Sequence, residues 1–227
     1  MYYVENLPKQ SLSEEEIRDL LYMREEEKLA RDVYLTLSKI YPIPVFRNIA
    51  KSEQQHMNMV GVLIRKYNLE DPVKETGNRI GVFKDQKLQK LYNQLVEKGK
   101  RSLIDALQVG ATIEDVDIKD LEDAIERTDN KDIKVVYQNL MKGSRNHIRA
   151  FVRILRRFGG DYKPQFISEK EFKKILSTKH EAGFYGVNGS LYPSISINKI
   201  EGTVKKVKKV PGWGRKRIDW WVLEVET

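Results

Sequence analysis

Apolar residues recur at helical spacing up to about Phe158, and following the three, four, seven pattern picks out four long helices. The first runs from about Ser13 to Ile40. Ser13 with Glu16 three residues later is the spacing of a capping box, which marks its start, and Pro42 and Pro44 end it. Pro44 also suits the first turn of the second helix, about Val45 to Tyr67, striped by Phe46, Ile49, Val60, Leu63 and Tyr67. A turn-rich link with Pro72, Gly77 and Gly81 leads to a short helix from Lys87 to Gly99. The third long helix spans about Ser102 to Thr128, and the fourth about Ile133 to Phe158, where Gly159 is placed to stop it.

Helices of ~23 to 28 residues, each ~35 to 42 Å long, are the parts of a four-helix bundle. The connection between the second and third is long enough to cross from one end to the other, which is the ferritin-like arrangement. The expected fold is therefore mainly α, a ferritin-like four-helix bundle with one long crossover over residues 1–164. Beyond it the texture changes. EKEFKKIL reads as a short helix, while TVKKVKKV and RIDWWVLEVE alternate apolar with polar residues around a PGWG turn and read as a hairpin. Residues 165–227 are accordingly expected to form a small basic appendage containing β-structure.

Composition narrows the chemistry. With 227 residues, 40% hydrophobic and 33% charged, the chain can bury a core and must present an ionic surface. No run approaches the ~18 apolar residues of a membrane span, and MYYVENLPKQ lacks a signal-peptide pattern, so a soluble, cytoplasmic protein with no membrane partner is expected. The absence of cysteine removes disulfides, thiolate metal sites and cysteine nucleophiles. Any metal must be held by His, Asp and Glu. Of the net charge of +8, most lies after Pro164, where 12 Lys and Arg face 7 Asp and Glu. The lysines Lys205, Lys206, Lys208 and Lys209 with Trp213, Arg215, Lys216 and Arg217 suit either phosphate tracking beside a stacking aromatic or a solvated edge strand. The edge strand is the commoner case, so nucleic acid is not the expected partner.

The informative residues are polar ones inside apolar stripes. Glu53 and His56 fall between Ile49 and Val60, ~60° apart around the axis, so both face inward. Glu27 lies on the inner face of the first helix with Tyr34 seven residues on. The third stripe is interrupted by Glu114 and Asp117, the fourth by Ser144 and His147. Glu25 and Glu26 flank Glu27 at ~100° steps and read as solvated, as do Asp115, Asp120 and Glu122 on the third helix. His180 receives no role. A layer of acids and imidazoles contributed by every helix costs several kcal/mol per unpaired charge, and a cation relieves it. Carboxylate and imidazole ligands suit iron, manganese or zinc.

The segments EEKLARDVY (Glu27, Ala30, Arg31, Tyr34) and SEQQH (Glu53, His56), with IEDVD (Glu114, Asp117) and GSRNHIRAF (His147), resemble the ligand helices of rubrerythrin-like members of the ferritin-like di-iron carboxylate superfamily, and within it an uncharacterised family. The resemblance spans about Leu20 to Phe158. It implies two metal ions, iron first with manganese or zinc as alternatives, held by Glu27, Glu53, His56, Glu114, Asp117 and His147. Glu53 and Glu114 would bridge, His56 and His147 would cap the ions and Glu27 and Asp117 would be terminal; Glu53, Glu114 and Tyr34 are the catalytic candidates, Tyr34 through a hydroxyl bonded to a ligand carboxylate, with a redox role as the alternative. One departure stands out: the superfamily places Glu three residues before the last His, and this chain has Ser144 there, so either Asp117 restores the carboxylate count or the second metal position is weak or empty. The implied activity is reduction of peroxide or O2 by an oxidoreductase fed by an external electron donor, in a homo-oligomer, with a dimer expected. Metal handling without turnover, or nucleic-acid binding through the basic tail, are the alternatives.

Overall fold

The computed structural model describes residues 2–191, 203–210 and 220–226. The chain is mainly helical. In order come α1 (Tyr2–Asn6), α2 (Glu14–Ile40), α3 (Pro44–Lys66), α4 (Pro72–Glu75), α5 (Gln86–Gly99), α6 (Leu103–Arg127), α7 (Lys131–Arg157) and α8 (Glu169–Ser177), followed by strands β1 (Thr203–Val210) and β2 (Trp220–Glu226). The helix ends follow from local chemistry. Ser13 Oγ accepts from the Glu16 N–H at 3.1 Å while Glu16 Oε2 accepts from the Ser13 N–H at 2.8 Å, the reciprocal cap of α2. Pro44 opens α3, Asp85 caps α5 and Ser102 caps α6. Gly159, at φ +81°, follows α7 in the left-handed conformation that releases the chain from the helix.

The four long helices pack in a closed cycle: α2 on α3, α3 on α7, α7 on α6 and α6 on α2. Their apolar core is split in two. One cluster gathers Leu29, Val33, Tyr34, Leu37, Phe46, Ala106, Leu107 and Phe151; the other gathers Leu20, Met23, Val60, Leu63, Leu121, Val136 and Leu140. Along α2, α3 and α7 the break between them falls where the sequence carries its inward polar residues, and on α6 it follows them, between Ile118 and Leu121.

The connection between α3 and α6 does more than link them. Residues 78–85 lie over α2 and are bonded to its charged groups. Glu25 accepts from the Lys84 and Asp85 N–H groups at 2.6 and 2.9 Å, and Asp32 accepts from the Gly81 N–H at 2.9 Å. The fully buried Lys28 ammonium ties Asp32 to the Arg79 carbonyl. Every residue of α2 from Met23 to Tyr34 is consequently buried. The expectation that Glu25 and Glu26 are solvated is therefore overturned. They lie on the face that the connection and α6 cover, which helical periodicity alone does not show.

The chain after α7 also departs from expectation. The first compact unit extends to Tyr192, so the division expected at 164/165 falls instead at 192/193. Tyr162, Ile167, Phe172 and Ile175 belong to the helical core. Asp115, expected on the surface, is fully buried and accepts from the Tyr162 hydroxyl at 2.7 Å and from the Gln165, Phe166 and Ile167 N–H groups at 2.6, 3.2 and 3.0 Å. It is the clasp that turns the chain back onto α6. Further on, Glu181 pairs with Arg145 and Arg149 of α7 at 2.6 and 2.8 Å.

In the second unit, β1 and β2 pair antiparallel from Thr203 opposite Glu226 to Val210 opposite Trp220, with an irregularity between Val204 and Lys206. The PGWG turn and the basic side chains at 205–217 lie outside the described residues and side chains. Among the described residues no helix is long and apolar enough to cross a membrane.

Asp115→Ala leaves three backbone donors of the turn after α7 without their acceptor. It is expected to destabilise the chain by ~2–4 kcal/mol in urea or guanidinium unfolding; a cost under ~0.5 kcal/mol contradicts the clasp.

Candidate metal centre

Between the two apolar clusters, Glu27 of α2, Glu53 and His56 of α3, Glu114 and Asp117 of α6, and Ser144 and His147 of α7 are all buried, none more than 8% exposed. The positions read from the stripes thus share one interior layer. Two triads arise within it, Glu27–Glu53–His56 and Glu53–Glu114–His147, the ligand atoms of each lying within 4.8 Å of one another. Glu53 belongs to both. Its Oε2 is 2.8 Å from His56 Nδ1 and its Oε1 is 2.7 Å from His147 Nδ1. The two imidazoles stack with centroids 5.4 Å apart. Each Nδ1 also meets a second acid, Glu27 Oε2 at 3.1 Å from His56 and Glu114 Oε2 at 3.3 Å from His147.

These contacts do not form a satisfied hydrogen-bond network. One N–H cannot point along two carboxylates at once, and Glu53 Oε1, although 2.7 Å from His147 Nδ1, has no hydrogen-bond partner. Glu27 Oε1, Asp117 Oδ1 and Glu26 Oε2 are buried and unpartnered as well. Buried carboxylate oxygens without donors are costly, and ligand atoms converging pairwise on shared points are the geometry that a cation requires. The residues present fit a pair of metal ions sharing Glu53.

Supporting bonds orient the ligands. His147 Nε2 lies 2.9 Å from Ser52 Oγ; an Nε2–H donated there leaves the Nδ1 lone pair facing Glu53 and Glu114. The Tyr34 hydroxyl, fully buried, donates to Glu114 Oε1 at 2.5 Å. This is the bond expected of it. Ser144 Oγ donates to Asp117 Oδ2 and to the Leu140 carbonyl. Asp117 belongs to neither triad, and Glu114 belongs to only one, so Glu53 alone is placed between the two.

Electrostatics in this layer follow from burial first. Burial raises the carboxyl pKa of Glu27 and Glu114, and the nearby acids Asp117 and Glu53 add to it. Asp117 is pushed up to about 8 by burial and by Glu114. Glu53 goes the other way: burial opposes its charge, but the imidazoles of His147 and His56 outweigh it and hold the carboxyl below the usual range. The same pairing raises His56, and raises His147 to about 9, against the effect of burial. Without a metal the layer gathers protons, and a cation must displace them.

Sequence reasoning missed three participants. Ser52 is one residue from Glu53 and carries no periodic signal. Glu26 is interior, its pKa raised by burial and by Asp117 and Asp120. Gly143 faces the His56 ring so closely that a Cβ there would lie 2.4 Å from Nε2 and 2.5 Å from Cε1. A glycine inside an amphipathic helix was the available signal, because helix interiors disfavour it by ~1 kcal/mol relative to alanine.

Comparison with known proteins adds a family but no activity. Residues 16–179 match the family model described as "Uncharacterized protein domain (DUF2202)". The chain is 59% identical over 181 residues to a protein of Methanocaldococcus jannaschii described as "Uncharacterized protein MJ0754", a match covering 80% of this chain and 97% of that one. It is similar to the crystal structure of hypothetical protein MJ0754 at a TM-score of 0.76, with 78% of this chain and 99% of that chain covered.

Gly143→Ala forces the His56 ring to move while favouring helix formation. It is expected to weaken Zn2+ binding by ~10- to 100-fold with helical content unchanged, read by competition with a chromophoric chelator; unchanged affinity contradicts the role of His56.

Proposed function

We propose that this chain, which belongs to the DUF2202 family, is a ferritin-like dinuclear metal protein, with iron as the favoured metal, that reduces peroxide or O2 using electrons from an external donor. The observation that carries the reading is Glu53, whose two oxygens each face a different histidine in a different triad. The four long helices, joined by one long connection between α3 and α6, support the ferritin-like assignment.

Charge balance supports two divalent ions. Glu27, Glu53, Glu114 and Asp117 are four buried carboxylates, and two dications neutralise them when both histidines are neutral ligands. Glu27 and His56 would hold one ion, Glu114 and His147 the other, with Glu53 between them. Bound iron would supply the electrons that cleave the O–O bond of peroxide, and the donor would restore them.

The chain's own residues then have defined tasks. Tyr34 stays a neutral phenol, since burial and the Glu114 charge hold its pKa well above 10, so it donates steadily to Glu114 Oε1 and fixes that carboxylate. Ser52 fixes the tautomer of His147. Asp117 accepts from Ser144 at Oδ2, which holds that carboxylate in place while its buried Oδ1 stays unpartnered, so its charge is left for an ion to balance. The apolar clusters above and below exclude bulk water from the layer.

Ser144 also favours a second reading, metal handling without turnover, because a hydroxyl replaces a carboxylate that could otherwise bridge both ions. Steady-state peroxide consumption by the iron-loaded protein with a chemical reductant separates the two. Turnover abolished in Glu53→Ala, by at least ~100-fold, is expected. Equal rates in the two proteins contradict the enzyme reading, and bound iron without turnover favours handling.

A further inference from the structure

The face of α7 turned away from His147 carries Arg149, Arg153, Arg156 and Arg157, spaced so that they share one side of the helix. With Leu176 and His180 they line a groove of about 650 Å³ between α7 and the segment that follows α8, and no Asp or Glu lines it. A volume within the ~300–1,000 Å³ of small-molecule sites exceeds what a single inorganic anion needs.

Like charges four residues apart on a helix repel, and Arg149, Arg153 and Arg157 stack two such pairs in succession. The negative C-terminal end of α7 offsets this for Arg156 and Arg157 in the last turn, but its influence fades before Arg153. Arg149 is fully engaged: Nε donates to the Ile175 carbonyl at 2.7 Å, Nη1 to Asn146 Oδ1 at 2.8 Å, and Nη2 to Thr178 Oγ1 at 2.7 Å and Glu181 Oε1 at 2.8 Å. It forms a rigid wall. Arg156 uses Nε on Asp161 at 2.9 Å, which leaves its outer N–H groups. Arg153 and Arg157 make no hydrogen bond or ion pair among the described residues. The groove therefore combines a fixed wall, two uncommitted guanidinium forks, a partly committed third and an apolar patch at Leu176.

We propose that this groove binds a phosphate-bearing small anion, with Arg153, Arg157 and the outer edge of Arg156 on the phosphates and the body of the ligand against Leu176. Guanidinium forks match phosphate oxygens bidentately, and while Glu181 and Asp161 balance Arg149 and Arg156, no described acid balances Arg153 or Arg157. The site is separate from the metal centre: its side chains leave α7 on the opposite side from His147, and none of them belongs to either triad.

Calorimetry on the full chain at low and at physiological salt tests this, with pyrophosphate, ATP, adenosine and a short single-stranded oligonucleotide as probes. ATP and pyrophosphate are expected to bind at one site per chain and adenosine not to bind. The double variant Arg153→Gln/Arg157→Gln is expected to weaken both anions at least ~10-fold, with melting temperature and metal content unchanged, since both side chains are exposed. ATP is expected to bind more tightly than pyrophosphate because its body meets Leu176, and pyrophosphate binding as tightly as ATP overturns that placement. No anion binding at low salt, affinity unchanged in the double variant, or adenosine binding as well as ATP each overturns the proposal. An oligonucleotide that outcompetes ATP for the same arginines overturns it in favour of nucleic acid.

Discussion

Negative charge buried at one level of the helices is the constraint that the rest of this structure accommodates. Glu27, Glu53, Glu114 and Asp117 lie together out of water with only His56 and His147 as intrinsic cations, and three of the four carboxylates keep an oxygen without a donor. An apolar core cannot run through such a layer, so it divides into two clusters that close the layer from both ends. The same demand for proximity explains Gly143, where any side chain would displace an imidazole, and the stacking of the two histidine rings across Glu53. In the proposed holoprotein the cations supply what the chain lacks, and the protons that the metal-free layer collects are the alternative, weaker solution.

A second set of buried charges does different work. Every carboxylate oxygen of Glu25 and Asp32 on α2 and of Asp115 on α6 accepts a hydrogen bond, mostly from backbone N–H groups of distant segments, and Lys28 joins Asp32 to the Arg79 carbonyl. They hold the long α3–α6 connection and the chain after α7 against the helices. The contrast between these satisfied acids and the unsatisfied ones one turn away is what distinguishes structural charge from a ligand set. Burial alone does not.

Much of this was legible in the sequence where a local rule operates. The Ser13–Glu16 cap, the Pro42–Pro44 stop, Gly159 and the four helical stripes all depend on neighbours within a turn, and the helices begin and end within two or three residues of where these place them. Glu53, His56, Glu114, Asp117 and His147 were visible because each interrupts an apolar stripe. Glu25, Glu26 and Asp115 were not: Glu25 and Asp115 are covered by chain from distant segments, 78–85 over α2 and 162–167 over α6, and Glu26 meets Asp117 and Asp120 of α6, a pairing that helical periodicity does not show. The boundary at 164 failed for the same reason, since Tyr162, Ile167, Phe172 and Ile175 are too sparse to show a period yet find the core through Asp115. The groove of arginines on α7 likewise needed the fold, which places Leu176 and His180 opposite them.

The most direct test is to load the purified chain with ferrous iron under anaerobic conditions, count the bound metal, and locate it by anomalous diffraction. The account predicts two ions per chain, both in contact with Glu53, one adjoining His56 and the other His147. Less than one ion per chain, or ions bound elsewhere while Glu53 keeps its present contacts to both imidazoles, would contradict it.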